Sequence, residues 1–298
     1  MWDMVCGVVI VNKEQGLTSQ AVVNRVKRIF GVKKAGHTGT LDPMAEGVLP
    51  VLLERGVKAS EFMLTADKHY EATLLLGVTT DTEDVTGEIL TKCDVIPEPC
   101  RVTEAINSFV GKYMQIPPMY SALKIGGRKL CDIARAGETV DRSPREVEIF
   151  SIESERLCDR EYSLKIHCSK GTYIRTLCAD IGAKLGVGGV MKTLKRTTAS
   201  GFDLSDGHTL SELEAMSDDE KEKCVFPVEY IFRNYREIKL PPFFARLAKS
   251  GLEIYLRKIG VSSQIGEMVR LSDDDGFFAV GETREFDDGP AIKPIRQF

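Results

Sequence analysis

The feature that most restricts the fold is a period of two. Tyr70, Ala72, Leu74 and Leu76 fall on alternate positions, as do Tyr162, Leu164, Ile166 and Cys168. Successive side chains of a strand point to opposite faces, so each segment reads as a strand with one buried face and commits the chain to a sheet. Val5 to Val11, a continuous β-branched run bounded by Asn12 and Gly16, reads as a buried strand. Val48 to Leu53 is a further apolar segment.

Helical spacing takes over elsewhere. Thr18 or Ser19 is predicted to cap a helix whose apolar face is Val22, Val23, Val26, Ile29 and Phe30, with Gly31 just past its end. Thr103 is predicted to cap a second helix that buries Ile106, Phe109 and Val110 and stops at Gly111. A third has Ile174, Leu177, Cys178, Ile181 and Leu185 on one face and ends at Gly186.

At roughly 150 residues per domain, 298 residues suggest two domains, and 43% hydrophobic residues suffice for a core. The acidic run from Ser211 to Lys223 and Phe226-Pro227 set the expected boundary, giving domains at 1–235 and 236–298. The second should be small and β-rich, with a hairpin of Met268 to Leu271, a turn through Ser272 to Gly276, and Phe277 to Gly281. Within the first, the basic stretch 112–145 is punctuated by Pro117, Pro118, Gly126, Gly127 and Pro144 and reads as an insertion or flap.

No apolar run approaches the roughly 18 residues of a membrane span. The start Met1-Trp2-Asp3-Met4 lacks the basic lead of a secretory signal. A soluble, cytoplasmic chain is expected, with no membrane contact. The eight cysteines form no Cys-x-x-Cys pair, so free thiols are expected and no metal site.

The formal net charge is −4, so the molecule as a whole does not attract polyanions. Its cations are nevertheless segregated. Gly16 to Leu41 contains Arg25, Lys27, Arg28, Lys33 and Lys34 and no acid; Ser121 to Arg145 and Lys165 to Arg196 are also rich in Lys and Arg. Each field is confined to about a Debye length, so such patches can hold a phosphate backbone on an acidic protein. All three flank one glycine-rich segment, which favours nucleic acid over three solvated faces.

In that segment, Asp42 precedes Pro43, the usual setting of a turn or helix cap. Gly36-x-x-Gly39 is too short for a dinucleotide fingerprint. Glu46 invites a two-carboxylate glycosidase reading, although an exposed helical Glu is the better default. Arg175 opens a helix, where the dipole slightly disfavours a cation and hints at a partner. Tyr70 shares a strand face with Ala72 and Leu74, which suggests core, and His37 sits in a glycine loop as an ordinary polar side chain would.

Taken together, Gly36-His37-Thr38-Gly39-Thr40-Leu41-Asp42-Pro43-Met44-Ala45-x-Gly47-Val48-Leu49-Pro50 resembles the signature of the bacterial tRNA pseudouridine synthase B (TruB) family. Further matches follow in order: Asp67-Lys68-x-Tyr70, Gly77-x-x-Thr80-Asp81-Thr82-x-Asp84, Pro117 to Lys124, Arg135-Ala136-Gly137, Gly171 to Arg175, and Leu194 to Thr197. The resemblance is dense over residues 7 to 202 and weak in the tail.

It implies an α+β fold: a mixed, largely antiparallel sheet core of the pseudouridine synthase type, a thumb-like insertion at about 112–145, and a PUA-like tail. It also implies isomerisation of uridine 55 in the tRNA T-loop. Asp42 matches the family's aspartate acting at ribose C1′, Arg175 its cationic partner, and Tyr70 the aromatic platform near C5. Among substrate-binding positions, His37 matches a stacking residue and Leu194 an apolar wall, with Lys13, Thr40 and Tyr173 beside them. A nearby guanidinium is expected to lower the Asp42 pKa. No metal or cofactor, no obligatory protein partner and no state beyond a monomer is implied.

The chain departs from the family at Lys13-Glu14-Gln15-Gly16, where Lys-Pro-x-Gly is usual, and at Leu53-Glu54-Arg55-Gly56-Val57-Lys58, where Ile-Gly-x-Ala-Thr-Lys is usual. Other readings are a guide-RNA-dependent synthase, against which the thumb-like insertion counts, and an RNA chaperone that refolds tRNA.

Overall fold

The computed structural model describes residues 5–298. Met1-Trp2-Asp3-Met4, read above for a secretory lead, lies outside them. Among the described residues, no helix is long and apolar enough to cross a membrane.

The elements of the larger unit run β1 (Gly7–Lys13), α1 (Ser19–Ile29), β2 (Ala35–His37), β3 (Glu46–Leu53), β4 (Lys68–Leu76), α2 (Pro99–Asn107), β5 (Gly111–Gln115), β6 (Arg145–Arg156), β7 (Glu161–Cys168), α3 (Ile174–Leu185) and β8 (Gly189–Ala199), with shorter pieces between. One mixed sheet has the order β1-β3-β8-β4-β7-β6-β5 and adds Val225–Phe226 beside β1. Its pairs are antiparallel except β3 with β8, so the mixed, largely antiparallel core expected from the sequence is present.

Periodicity explains these strands. Lys68, Tyr70, Ala72, Leu74 and Leu76 face inward on β4, and Tyr162, Leu164, Ile166 and Cys168 on β7. Apart from Lys68, they meet Val22, Val23 and Val26 of α1 and Leu177, Cys178 and Ile181 of α3 in one core. The continuous runs of β1 and β3 are explained by a second core beneath them, where Val8, Ile10, Val48 and Leu52 meet Met63 and Phe202.

Thr18 caps α1, its hydroxyl accepting from the Ala21 N–H. The second helix differs from expectation. It starts at Pro99 after Glu98, and Thr103 lies inside it, its hydroxyl donating back to the Pro99 carbonyl. Val102, Ala105 and Ile106 are buried, whereas Val110 is 47% exposed and Gly111 begins β5. The stretch 112–145 is likewise not all outside the sheet, because Gly111–Gln115 pairs with Arg145–Ile149. Residues 116–144 hold a two-stranded ladder, Lys124–Ile125 with Arg128–Lys129, and the short helix Leu130–Arg135.

Gly47 shows how closely β3 and β8 approach. It has φ +103°, and a Cβ there would lie 2.2 Å from the Arg196 carbonyl oxygen. Gly47→Ala is therefore expected to cost about 3 kcal/mol or more, read as a lower urea midpoint at unchanged slope. A midpoint equal to the wild type's would contradict the close packing of this pair. Glu54, at the start of the short helix after β3, adopts φ +50°, in the left-handed region. Its carboxylate accepts from the Lys33 and Lys34 N–H groups at 2.5 and 3.2 Å, which offsets part of that strain.

A second sheet, of residues 236–297, has the order Arg236–Lys239, Met268–Asp273, Gly276–Phe286, Gly289–Gln297 and Ile254–Tyr255. Phe232 joins the sheets, its ring centroid 5.1 Å from that of Phe62, 5.9 Å from Phe277 and 5.5 Å from Phe298. Arg296 pairs with Glu61 at 2.5 Å and Arg270 with Glu229 at 2.5 Å across the same junction.

Candidate active site

Asp42 lies on the loop between β2 and β3, and that loop is pinned from four directions. The Ser19 hydroxyl donates to the Leu41 carbonyl at 3.0 Å and accepts from the Leu41 N–H at 2.8 Å. The Lys13 ammonium donates to the carbonyls of Ala45 at 2.6 Å, Glu14 at 3.1 Å and Pro43 at 3.2 Å. The Gly16 N–H also reaches the Pro43 carbonyl, at 2.8 Å. Arg196 donates to the carbonyls of Gly39 at 3.1 Å and Val48 at 2.8 Å. Few backbone freedoms remain, so the carboxylate is held before any ligand arrives.

Arg175, on the first turn of α3, meets this loop. Its Nε lies 2.9 Å from Asp42 Oδ2 and its Nη2 3.4 Å from Oδ1. The remaining donors reach the Thr82 carbonyl at 2.9 Å and the Tyr120 carbonyl at 2.7 Å, and Nη1 is 3.8 Å from Asp84 Oδ2. Arg175 is 5% exposed and the Asp42 side chain 34%, so the cation is sunk while the carboxylate retains an open side. Asp84 is itself fixed, accepting from the Thr82 and Thr86 hydroxyls and the Thr86 N–H.

Burial pushes the Asp42 carboxyl above its ordinary pKa, and Arg175 only partly restores the ionised form. The guanidinium acts in the expected direction, lowering the value, but loss of water outweighs it. Burial also raises the hydroxyls of Tyr70 and Tyr173 and lowers the imidazole of His37.

The other sequence-derived residues gather around the same loop. Tyr70 is buried on β4 opposite Arg196, and Leu194 lies beside it on β8 opposite Ala72. The Asp42 charge acts on both Tyr70 and Tyr173. The N–H and carbonyl of Tyr173 are clamped by the Gln115 side chain at 2.8 and 3.0 Å. His37 ends β2, its Nδ1 buried without a partner among the described residues. Thr40 is exposed on the loop, and Lys13 lies beneath it, its donors turned to backbone. Glu46, the other glycosidase carboxylate, opens β3 and pairs in register with Lys195.

Two residues of the site were not singled out in the sequence: Asp84, 4% exposed, and Arg196, 1% exposed. Arg196 carries a signal, since it follows Leu194 by two on an inward face, and a charge on an apolar strand face marks a functional or structural demand.

Burial holds the Lys13 ammonium down to about 8, from an ordinary 10.5. The unfolded chain then binds more protons between those values, so this residue makes stability rise with pH there. In Lys13→Met that contribution is absent. The stability difference between wild type and variant is expected to grow by roughly 2–3 kcal/mol in favour of the wild type from pH 7.5 to 10.5, measured by urea unfolding. A constant difference would contradict the depressed value.

The fold sets the structural class. It aligns with a chain of a Cbf5-Nop10-Gar1 complex at TM-score 0.72 and 24% identity, over 99% of this chain and 85% of that one. It also aligns with a chain of an H/ACA RNP bound to a substrate RNA containing 2′-deoxyuridine, at TM-score 0.72 and 22% identity, over 99% and 86%. The family model described as TruB family pseudouridylate synthase (N terminal domain) matches residues 27–174, and that of the tRNA pseudouridylate synthase B C-terminal domain matches 175–233. Proteins named tRNA pseudouridine synthase B from Alkaliphilus oremlandii and Clostridium tetani are 40% and 39% identical, over 94% and 93% of this chain and 94% and 95% of theirs. One from Francisella tularensis subsp. novicida is 38% identical over 96% and 93%. The chain belongs to the TruB family of pseudouridylate synthases. Its second sheet lies beyond the residues that the two models match.

Proposed function

We propose that the protein isomerises uridine 55 in the T-loop of tRNA to pseudouridine, with Asp42 acting at ribose C1′ of a flipped-out nucleotide. The observation that carries this reading is the Asp42–Arg175 pair, a half-open carboxylate held at 2.9 Å by a buried guanidinium. The names of the relatives support tRNA as the substrate.

In the reaction the N1–C1′ bond opens, the base turns, C1′ joins C5, and the proton on C5 is lost as N1 gains one. No electron is exchanged with a cofactor. The carboxylate stabilises the opened sugar by attacking C1′ or by removing a ribose proton, and the guanidinium keeps it oriented. Tyr70 receives the extruded base with Leu194 as an apolar wall, while His37 stacks in the reorganised loop. Tyr173 and Thr40 line the approach, and Lys13 keeps the Asp42 loop in place from beneath.

Residues 1–235 form the catalytic domain in this reading, with 116–144 as a thumb over the RNA and 236–298 as a PUA-like module. Arg25 is already engaged by Glu214 at 2.6 Å, so Lys27, Arg28, Lys33 and Lys34 supply the phosphate contacts of the first basic window. The protein acts as a cytoplasmic monomer, without cofactor or protein partner.

The test is pseudouridine mapping on an unmodified T-stem-loop transcript incubated with the purified chain. One modified site is expected, at the position of uridine 55. Modification elsewhere, or only when a guide RNA and further proteins are added, would overturn the assignment.

A further inference from the structure

The strand that turns Tyr70 toward Asp42 presents a different chemistry on its other face. His69 lies directly opposite His167 in the β4–β7 register, and Asp67 precedes His69 by two positions. The imidazoles stack with centroids 4.0 Å apart and planes 10° from parallel. The Asp67 carboxylate contacts His167 Nε2, and one donor atom from each of the three residues lies within 4.8 Å of the others. Phe150 also packs against the His167 ring, with centroids 4.6 Å apart and planes tilted by 48°.

We propose that Asp67, His69 and His167 form a three-ligand site for a divalent transition-metal ion of the zinc class, tying β4 to β7 behind the face that carries Tyr70.

The donor set is the first argument. Two imidazole nitrogens and one carboxylate oxygen suit a borderline ion such as Zn²⁺, whereas Mg²⁺ and Ca²⁺ prefer oxygen alone. The second is geometry. Asp67 sits just ahead of β4 and two residues before His69, whose register partner on β7 is His167, an arrangement that puts three side chains close together with Cα separations of about 5–7 Å. Tetrahedral ligands at about 2.1 Å from a metal sit roughly 3.4 Å apart, so small side-chain rotations at an open surface bring these atoms together. With three protein ligands, a fourth position stays open to water.

The experiment uses the full chain stripped by a chelator, then titrated with Zn²⁺ by calorimetry and with Co²⁺ by absorption. One saturable zinc site is expected, weakened about 100-fold or more in His69→Gln and in His167→Gln, with no comparable binding of Mg²⁺. Zinc at a hundred times its Kd should raise the wild-type Tm by about 5 °C or more and leave the variants unmoved. The Co²⁺ spectrum keeps the proposal testable even if a variant folds poorly: nitrogen and oxygen ligation gives visible bands without a thiolate charge-transfer band. No saturable binding, unchanged affinity in both variants, or a thiolate band from the free cysteines would each overturn it.

Discussion

Asp42→Asn is expected to fold, to bind the T-stem-loop, and to form pseudouridine at least about 10³-fold more slowly than the wild type. Asparagine keeps the shape and can still accept from Arg175, so the loop pinned by Ser19, Lys13 and Arg196 has no reason to move. What it lacks is a negatively charged oxygen at the open side of the pair. Single-turnover rates on saturating transcript separate this from weakened binding, and a gel-shift affinity reports the binding directly. Near-wild-type turnover by this variant would remove Asp42 from the chemistry.

Arg175→Lys tests the other half of the pair. A lysine keeps the charge, but a compact ammonium cannot meet both Asp42 oxygens together with the carbonyls of Thr82 and Tyr120. A loss of about 10²-fold or more in kcat is expected. The pH profile carries the sharper reading. Burial raises the Asp42 pKa and Arg175 opposes it, so a poorer cation leaves burial less opposed and moves the value further up. In the proposed reaction the ionised form is the reactive one. The acid limb of the rate profile should therefore shift to higher pH, and raising the pH should recover part of the loss. A limb that stays in place while the rate falls would mean that the arginine orients the carboxylate without tuning it.

Much of this arrangement was legible in the chain before its coordinates. Where one physical rule dominates, as in the period-two faces of β4 and β7 or the valine stripe of α1, the element follows directly. The second helix was displaced because a threonine hydroxyl can cap a helix or bond back within one, and the proline four residues earlier won the start. Asp42 and Arg175 were found through a recognisable motif, not through periodicity. Asp84 and Arg196 fell within matched motifs but received no role, because their burial depends on partners far along the chain: Arg175 for the one, Gly39 and Val48 for the other. His69 and His167 were invisible as a pair for the same reason, since only strand register brings them face to face.

The Tyr120 carbonyl, near the start of residues 116–144, accepts a hydrogen bond from the guanidinium paired with Asp42. Gln115, the last residue of β5 and just ahead of that stretch, grips the backbone of Tyr173, two residues before Arg175. Were residues 116–144 to grip RNA as proposed, a change in their position would be carried through these two contacts to the Asp42–Arg175 pair.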